Sequence, residues 1–334
     1  VLPDIAGPVR PPSTYDPFDP ATRTDPYPAY AALRSRTRAS FNERAGIWFL
    51  ARHADVALVL RDGRFSSSRS QDLRSRYRRL PVSMLTTDPP EHTRLRRAIA
   101  AEFTAARLTR LTDVIRDDAI ALAAGWDDRG EIDLVTEFAE PLAAASLGAV
   151  LGVPHEDLGQ FRRWATALMP HLDPLGPPTD AGTSAALDEL LEWFADELAV
   201  PGRSSDPDVL GAIVRAYEAG DLTPGEALST CTLLVVGGFG PLADLISVGS
   251  WLQLRNGHWL ATSAGLVEEV LRFDAPIQFA ARAALEDVHL AHDVIRAGDR
   301  VVALLGSADR DPARFIAPDI FDPSRPHNAH LSFG

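Results

Sequence analysis

The sequence predicts a mainly α-helical fold with a small β-rich region, and three observations carry this. The longest apolar run, Glu226 to Leu254 (EALSTCTLLVVGGFGPLADLISVGSWLQL), is led in by a helix start: Thr223 as cap, Pro224 at the first helical position and Glu226 at the third. Helical spacing dominates 108–200, in LTDVIRDDAIALAAGW, EIDLVTEFAEPLAAASLGAVLGV and HEDLGQFRRWATALM. Strand-type alternation is confined to FNERAGIWFLA and to 279–303.

Taken in order, residues 1–27 read as an extended arm, punctuated by Pro3, Pro8, Pro11, Pro12, Pro17, Pro20 and Pro26. Tyr27 to Arg38 has the spacing of a short helix. Ala39 to Ala51 alternates around a turn near Arg44-Ala45-Gly46 and reads as a hairpin. His53 to Arg61 returns to helical spacing through Val56, Leu58, Val59 and Leu60. Arg64 to Ser68 reads as a polar loop, and Ser70 to Arg79 as a basic surface stretch. In DPPEHTRLRR, Asp88 and the two prolines set a helix start, and Glu91 complements the helix dipole. Pro141 and Gly152 punctuate the helices that follow, and Leu172 to Thr183 is a Pro/Gly-rich connector. Ala185 to Ala199 is helical, and Asp206 to Tyr217 precedes the long helix. Beyond it lie a helix from Leu266 to Phe273 and short strands over 279–303, turning at His292-Asp293 and Ala297-Gly298. A Pro- and Asp-rich coil follows from Asp309 to Pro326. There is no internal repeat and no linker, so one domain is expected over 1–334.

The long helix has apolar residues on nearly every face and is expected to be buried all round. Gly237, Gly238, Gly240 and Pro241 interrupt its middle. Pro241 has no N–H, so the carbonyl of Gly237 loses its intrahelical partner, and a kink or bulge is expected there. Such a break either makes room for a ligand or relieves packing. A membrane span is disfavoured by Asp244, the glycines and Pro241, which leave the uninterrupted apolar stretch too short.

A formal charge of −13 over 334 residues argues against nucleic acid or an anionic membrane as partner. An apolar share of 46% allows a sizeable core. The single cysteine, Cys231, excludes an internal disulfide framework and suits a reducing, cytoplasmic setting. The Pro-rich start resembles neither a secretory signal nor an anchor. GxGxxG, a phosphate loop, HExxH, paired zinc cysteines and a GxSxG elbow are all absent from the sequence.

Four charged constellations stand out. His92 and Arg96, four apart, share a helix face and could grip an anion or form a solvated basic face. Glu269 and Arg272 are three apart on a helix. Arg282 with Glu286-Asp287, and Arg325 in FDPSRP, add charges in apolar surroundings. Buried charges must be paired, so these groups are candidates for one network.

DPPEHTRLRR, the interrupted helix, Glu269-xx-Arg272, Arg282-Ala-Ala-Leu-Glu286-Asp287, Ala308-Asp-Arg310-Asp311-Pro312, FDPSRP and the terminal HLSFG occur in that order along the whole chain. Together they resemble a soluble bacterial cytochrome P450. The resemblance implies that family's mainly helical fold with a small β region, and a haem b held against the long helix. It implies that His92, Arg96 and Arg282 hold the haem propionates. It also implies that Glu269, Arg272 and Arg325 form the structural triad. Val82, Met84, Phe239, Leu242 and Ile277 match regions lining the substrate pocket. A small-molecule substrate and a ferredoxin-type redox partner are implied as well.

Two departures qualify the expected chemistry. Gly240 and Pro241 stand where the family has an acid followed by Thr, so the pair that delivers protons to dioxygen is missing. Asp244, one turn on, is a weak substitute. The family's haem-ligand Cys loop begins at Phe-Gly, and the sequence stops at Phe333-Gly334. Cys231 cannot replace that thiolate and is expected to be a buried, inert thiol. Two alternatives stay open. In one, the protein continues through the haem loop and is a haem-thiolate monooxygenase or oxidase of antibiotic and secondary metabolism, acting on a small apolar molecule by atypical oxygen activation. In the other, it is a haem-free auxiliary protein that activates or stabilises a glycosyltransferase.

Overall fold

A computed structural model describes residues 15–68, 83–169, 181–257 and 264–334. Val82, the arm up to residue 14, the basic stretch from 70 to 79 and most of the connector after Leu172 lie outside the described residues. The chain divides into two compact units, one joining residues up to 70 with those from 248 on, the other spanning 71–247.

In the first unit, α1 (Pro20–Thr24) is a short helix where the sequence suggested only extended chain. Asp19 explains it: its carboxylate accepts from the N–H groups of Ala21 and Thr22, and Pro20 presets the first helical φ. Next come α2 (Tyr27–Arg36), β1 (Ser40–Asn42), β2 (Ile47–Leu50) and α3 (His53–Arg61). The hairpin turns through Gly46, whose φ of 64° suits glycine. Residues 65–66, expected as loop, form β3 (Phe65–Ser66), paired with a later strand that supplies ladder partners no local pattern could show.

The second unit holds α4 (Glu91–Ala100), α5 (Thr112–Ala123), α6 (Glu140–Leu151), α7 (Leu158–Leu168), α8 (Ala181–Leu198), α9 (Val209–Glu218) and most of α10 (Pro224–Asn256). Pro141 sits in the first turn of α6, and Gly152 closes that helix at φ 87°. The buried Arg203 ties this end to the start of α9. It donates to the Gly152 carbonyl at 3.0 Å and to Asp208 at 2.9 Å, while Asp208 caps α9 through the Gly211 N–H. The core packs Leu147, Leu151, Phe161, Leu168, Leu190, Phe194, Leu210 and Ile213 against Cys231, Val235, Val236 and Phe239 of α10.

Returning to the first unit, α11 (Ala264–Phe273) leads into β4 (Ala280–Ala284), β5 (Val288–Leu290), β6 (Asp293–Ile295), β7 (Arg300–Ala303) and α12 (Leu305–Ala308). One sheet has the order β1-β2-β7-β4-β3, in which only β2 and β7 run parallel; β5 and β6 form a separate hairpin. All four residues of β2 are buried. Trp48 and Leu50 pack with Val56 and Val59 of α3, while Ile47 and Phe49 pack with Tyr30 and Leu33 of α2. The period of two thus gives each face of the sheet its own helix.

Candidate functional site

The N-terminus of α10 is closed by a reciprocal capping box: Thr223 N–H donates to Glu226 at 2.9 Å, and Glu226 N–H donates to the Thr223 hydroxyl at 3.3 Å. Arg94 of α4 donates to the same carboxylate and to the Asp221 carbonyl. Its guanidinium, with Thr223, holds the Glu226 carboxyl down at about 2. Arg94 thereby fastens α4 to the start of α10.

His92 and Arg96 lie two residues either side of Arg94, on the opposite side of α4. His92 is half-buried and Arg96 exposed, while Leu95 and Ile99 seat the helix in the core. Among the described residues, neither His92 nor Arg96 has an acidic partner. Arg282 lies on β4 opposite Val301 of β7, and its Nη1 donates to the Ala281 carbonyl at 2.8 Å.

The helix runs unbroken through Pro241, with no bulge. The helix is not buried all round. Gly237, Asp244 and Trp251 are exposed, with Pro241 and Val248 half-buried between them, so positions seven apart mark one open stripe. The opposite side is packed. A Cβ on Gly238 would meet Leu147 of α6 at 3.1 Å, and one on Gly240 would collide with the thioether of Met169. A Cβ on Gly237 would find only Leu233, at 4.0 Å. Of the expected pocket residues in this unit, Phe239 is a core side chain, 2% exposed, and Met84 and Leu242 are half-buried against the same core. Ile277, in the other unit, is exposed. α10 is long and apolar enough to cross a membrane, a property that the core helix of a globular protein shares, and its Ala227, Cys231 and Val235 are core residues. Cys231 is fully buried, and burial pushes its thiol far up, which makes it inert as expected.

Glu269, Arg272 and Arg325 come together. Arg272 grips Glu269 with two bonds of 2.8 Å, and Arg325 Nε adds a third at 3.1 Å. Both members of the central pair are wholly buried. The other arm of Arg272 donates to the carbonyls of Asp309 (2.9 Å) and Pro318 (2.8 Å). Sequence reasoning missed two further donors to Glu269, the Asp322 N–H and the Asn328 side chain, both at 2.9 Å. The Asn in RPHNAH carries no spacing signal.

The residues present fit the propionates of a haem: His92 and Arg96 offer donors on one face of α4 with no acidic partner among the described residues, and Gly237 bares a flat patch of helix. They do not include an axial thiolate, because the one cysteine is in the core.

A family model described as cytochrome P450 matches residues 264–333. Nocardicin C N-oxygenase of Nocardia uniformis subsp. tsuyamanensis is 35% identical over 95% of this chain and 83% of its own length. The biotin biosynthesis cytochrome P450 of Bacillus subtilis (strain 168) is 31% identical over 93% and 82%. Among solved structures, CalO2 superposes with a TM-score of 0.87 at 30% identity, covering 96% of this chain and 85% of that one. CxnD, described as the cytochrome P450 enzyme for C-S bond formation in chuangxinmycin biosynthesis, gives 0.81 at 33% identity over 93% and 80%. With the helical core, the small sheet and the Glu269–Arg272–Arg325 network, this similarity over nearly the whole chain establishes that the chain belongs to the cytochrome P450 family.

Proposed function

We propose that the protein is a haem-thiolate monooxygenase or oxidase of secondary metabolism, acting on a small, largely apolar molecule. The observation that carries this reading is the pair His92 and Arg96, which share one face of α4 and have no acidic partner among the described residues. Exposed arginines such as Arg97 and Arg110 are likewise unpaired among the described residues, so the weight falls on half-buried His92 standing one turn from Arg96, which together offer an anion two donors on one helix face. His92, Arg96 and Arg282 hold the propionates, and the open stripe of α10 faces the reaction space. A bound haem b would supply the oxygen and redox chemistry. Val82, Met84, Phe239, Leu242 and Ile277 contact the substrate, and a ferredoxin-type protein delivers electrons in the cytoplasm.

Oxygen activation departs from the acid–Thr pattern. Met169 occupies the side of α10 where an acid at 240 would stand, and Pro241 has neither hydroxyl nor N–H. The Gly237 carbonyl, on the exposed stripe, is the acceptor that Pro241 leaves without its helical partner. A water, or a hydroxyl of the substrate, held there supplies the proton. CxnD, a relative named for C-S bond formation, supports unusual chemistry within this family.

The same degenerate helix favours a second reading, a haem-free partner of a glycosyltransferase. One measurement separates them: the absorption spectrum of the full-length protein, reduced under carbon monoxide. A Soret band at the thiolate position is expected. A colourless protein that stays colourless after haem is supplied would overturn the oxygenase reading and move the search to a protein partner.

A further inference from the structure

The side chain of Asp309, just beyond α12, is fully buried. Its Oδ1 accepts from the Leu331 N–H at 2.7 Å, and its Oδ2 lies 2.9 Å from the Ser332 hydroxyl. The same hydroxyl lies 2.8 Å from the carbonyl of Leu271, in the last turn of α11. A hydroxyl has one hydrogen, and both neighbours are acceptors if the carboxyl is ionised. The Leu271 carbonyl has the stronger claim. Among the described residues no backbone N–H beyond the helix reaches it, whereas Val270, one residue earlier, is served by Asp274. A buried carbonyl needs a donor. The Ser332 hydrogen therefore goes to Leu271, and the short contact to Oδ2 is a hydrogen bond only when that oxygen donates.

We propose that Asp309 is a positioning residue that holds a proton in the folded protein and uses it to clasp Leu331–Ser332 to the end of α11. The relay runs from Asp309 Oδ2–H to Ser332 Oγ, and from Ser332 Oγ–H to the Leu271 carbonyl. The surroundings allow it. Burial pushes the carboxyl up to about 6, against the opposing pull of the Leu331 N–H, the neighbouring Ser332 hydroxyl, His330 and Arg272. His330 lies 3.0 Å from the Glu268 carboxylate, and Arg272 is paired with Glu269. On the same turn, Arg310 is spent on the Phe273 carbonyl and Asp311 on the His53 N–H; Arg34 of α2 is spent on Ser307. The clasp stands whether or not haem binds.

Amide hydrogen exchange at Leu331 in the full chain tests it. After correction for intrinsic rates, wild-type protection should be level below about pH 4, fall by up to about tenfold per pH unit between 4 and 6, and level off above, as the folded state gives up its proton. Asp309→Asn should hold the low-pH protection throughout, because an amide both accepts from Leu331 and donates to Ser332. Protection that is flat with pH in the wild type, or weaker at pH 5 in Asp309→Asn, overturns the proposal. Should that variant fail to fold, the ¹³Cγ shift of Asp309 in labelled wild-type protein decides. A midpoint near 6 supports the clasp, and one at or below the ordinary aspartate value of about 4 overturns it.

Discussion

At the scale of single residues, Glu269 carries the most consequence per atom. It is wholly buried and takes hydrogen bonds from Arg272, Arg325, Asp322 and Asn328. Its negative charge answers two guanidinium groups in a medium that cannot replace it. Glu269→Gln keeps the shape but removes the charge and turns one acceptor into a donor facing Arg272. Removing one partner of a buried pair costs roughly 3–5 kcal/mol. We expect the urea midpoint of this variant to fall accordingly, and an unchanged midpoint would mean that the pair contributes nothing to folding. Asn328→Ala removes one neutral donor from the same carboxylate and should cost only about 1–3 kcal/mol. The pair Glu269-xx-Arg272 was legible in the sequence because helical spacing alone brings i and i+3 together. Asn328 and Asp309 were not, since their partners lie 59 and 22 residues away along an irregular coil whose path no periodicity encodes.

Elements show a different limit on legibility. Secondary structure of the helices was readable from caps and apolar spacing, down to Thr223 and Glu226 at the head of α10. What covers each face was not. The interrupted stretch of α10 was expected to be buried on all sides, yet its glycines divide by face: Gly237 lies on the open stripe, while Gly238 and Gly240 are packed against Leu147 and Met169. This makes glycine substitutions a graded probe. Gly237→Ala adds a methyl in open space and gains helix propensity, so it should raise stability by up to about 1 kcal/mol. Gly211→Ala in α9 puts a methyl into the backbone carbonyl of Asp206, which cannot swing aside as a side chain can. It should cost about 1–3 kcal/mol. Thermal melts of the two variants check the contrast; equal shifts would mean that α9 does not pack this closely on the 203–206 turn. Gly240→Glu, the obvious way to restore an acid in α10, first has to displace Met169. Its effect on oxygen coupling is therefore interpretable only beside the Met169→Ala background.

For the molecule as a whole, charge and pH meet at a few buried groups. All 33 basic side chains are arginine, which stay protonated across the working range, so the net charge of −13 changes between pH 4 and 7 only through carboxyls and histidines. Two groups, half-buried His53 and fully buried Asp309, act there in opposite senses. Burial lowers His53, so the unfolded chain binds its proton more readily and this group adds stability as pH rises. Asp309 is raised from 3.8 to about 6, so the folded chain binds the proton more tightly; its contribution is complete below about pH 4 and is lost as pH climbs through 6. A shift of that size corresponds to about 3 kcal/mol once the carboxyl is ionised in both states. The wild-type pH profile alone would blur the two. The difference between Asp309→Asn and wild type isolates one of them, because His53 is common to both. That difference in melting temperature should be small at pH 4, rise in favour of the variant between pH 4 and 6.5, and level off above. A difference that stays constant with pH would place the ionised carboxylate in the folded state throughout. The sequence could announce an Asp in Ala308-Asp-Arg310-Asp311-Pro312, but not which of its acids burial pushes up. Only the fold, by burying Asp309 beside a hydroxyl whose one hydrogen is already committed, makes that distinction.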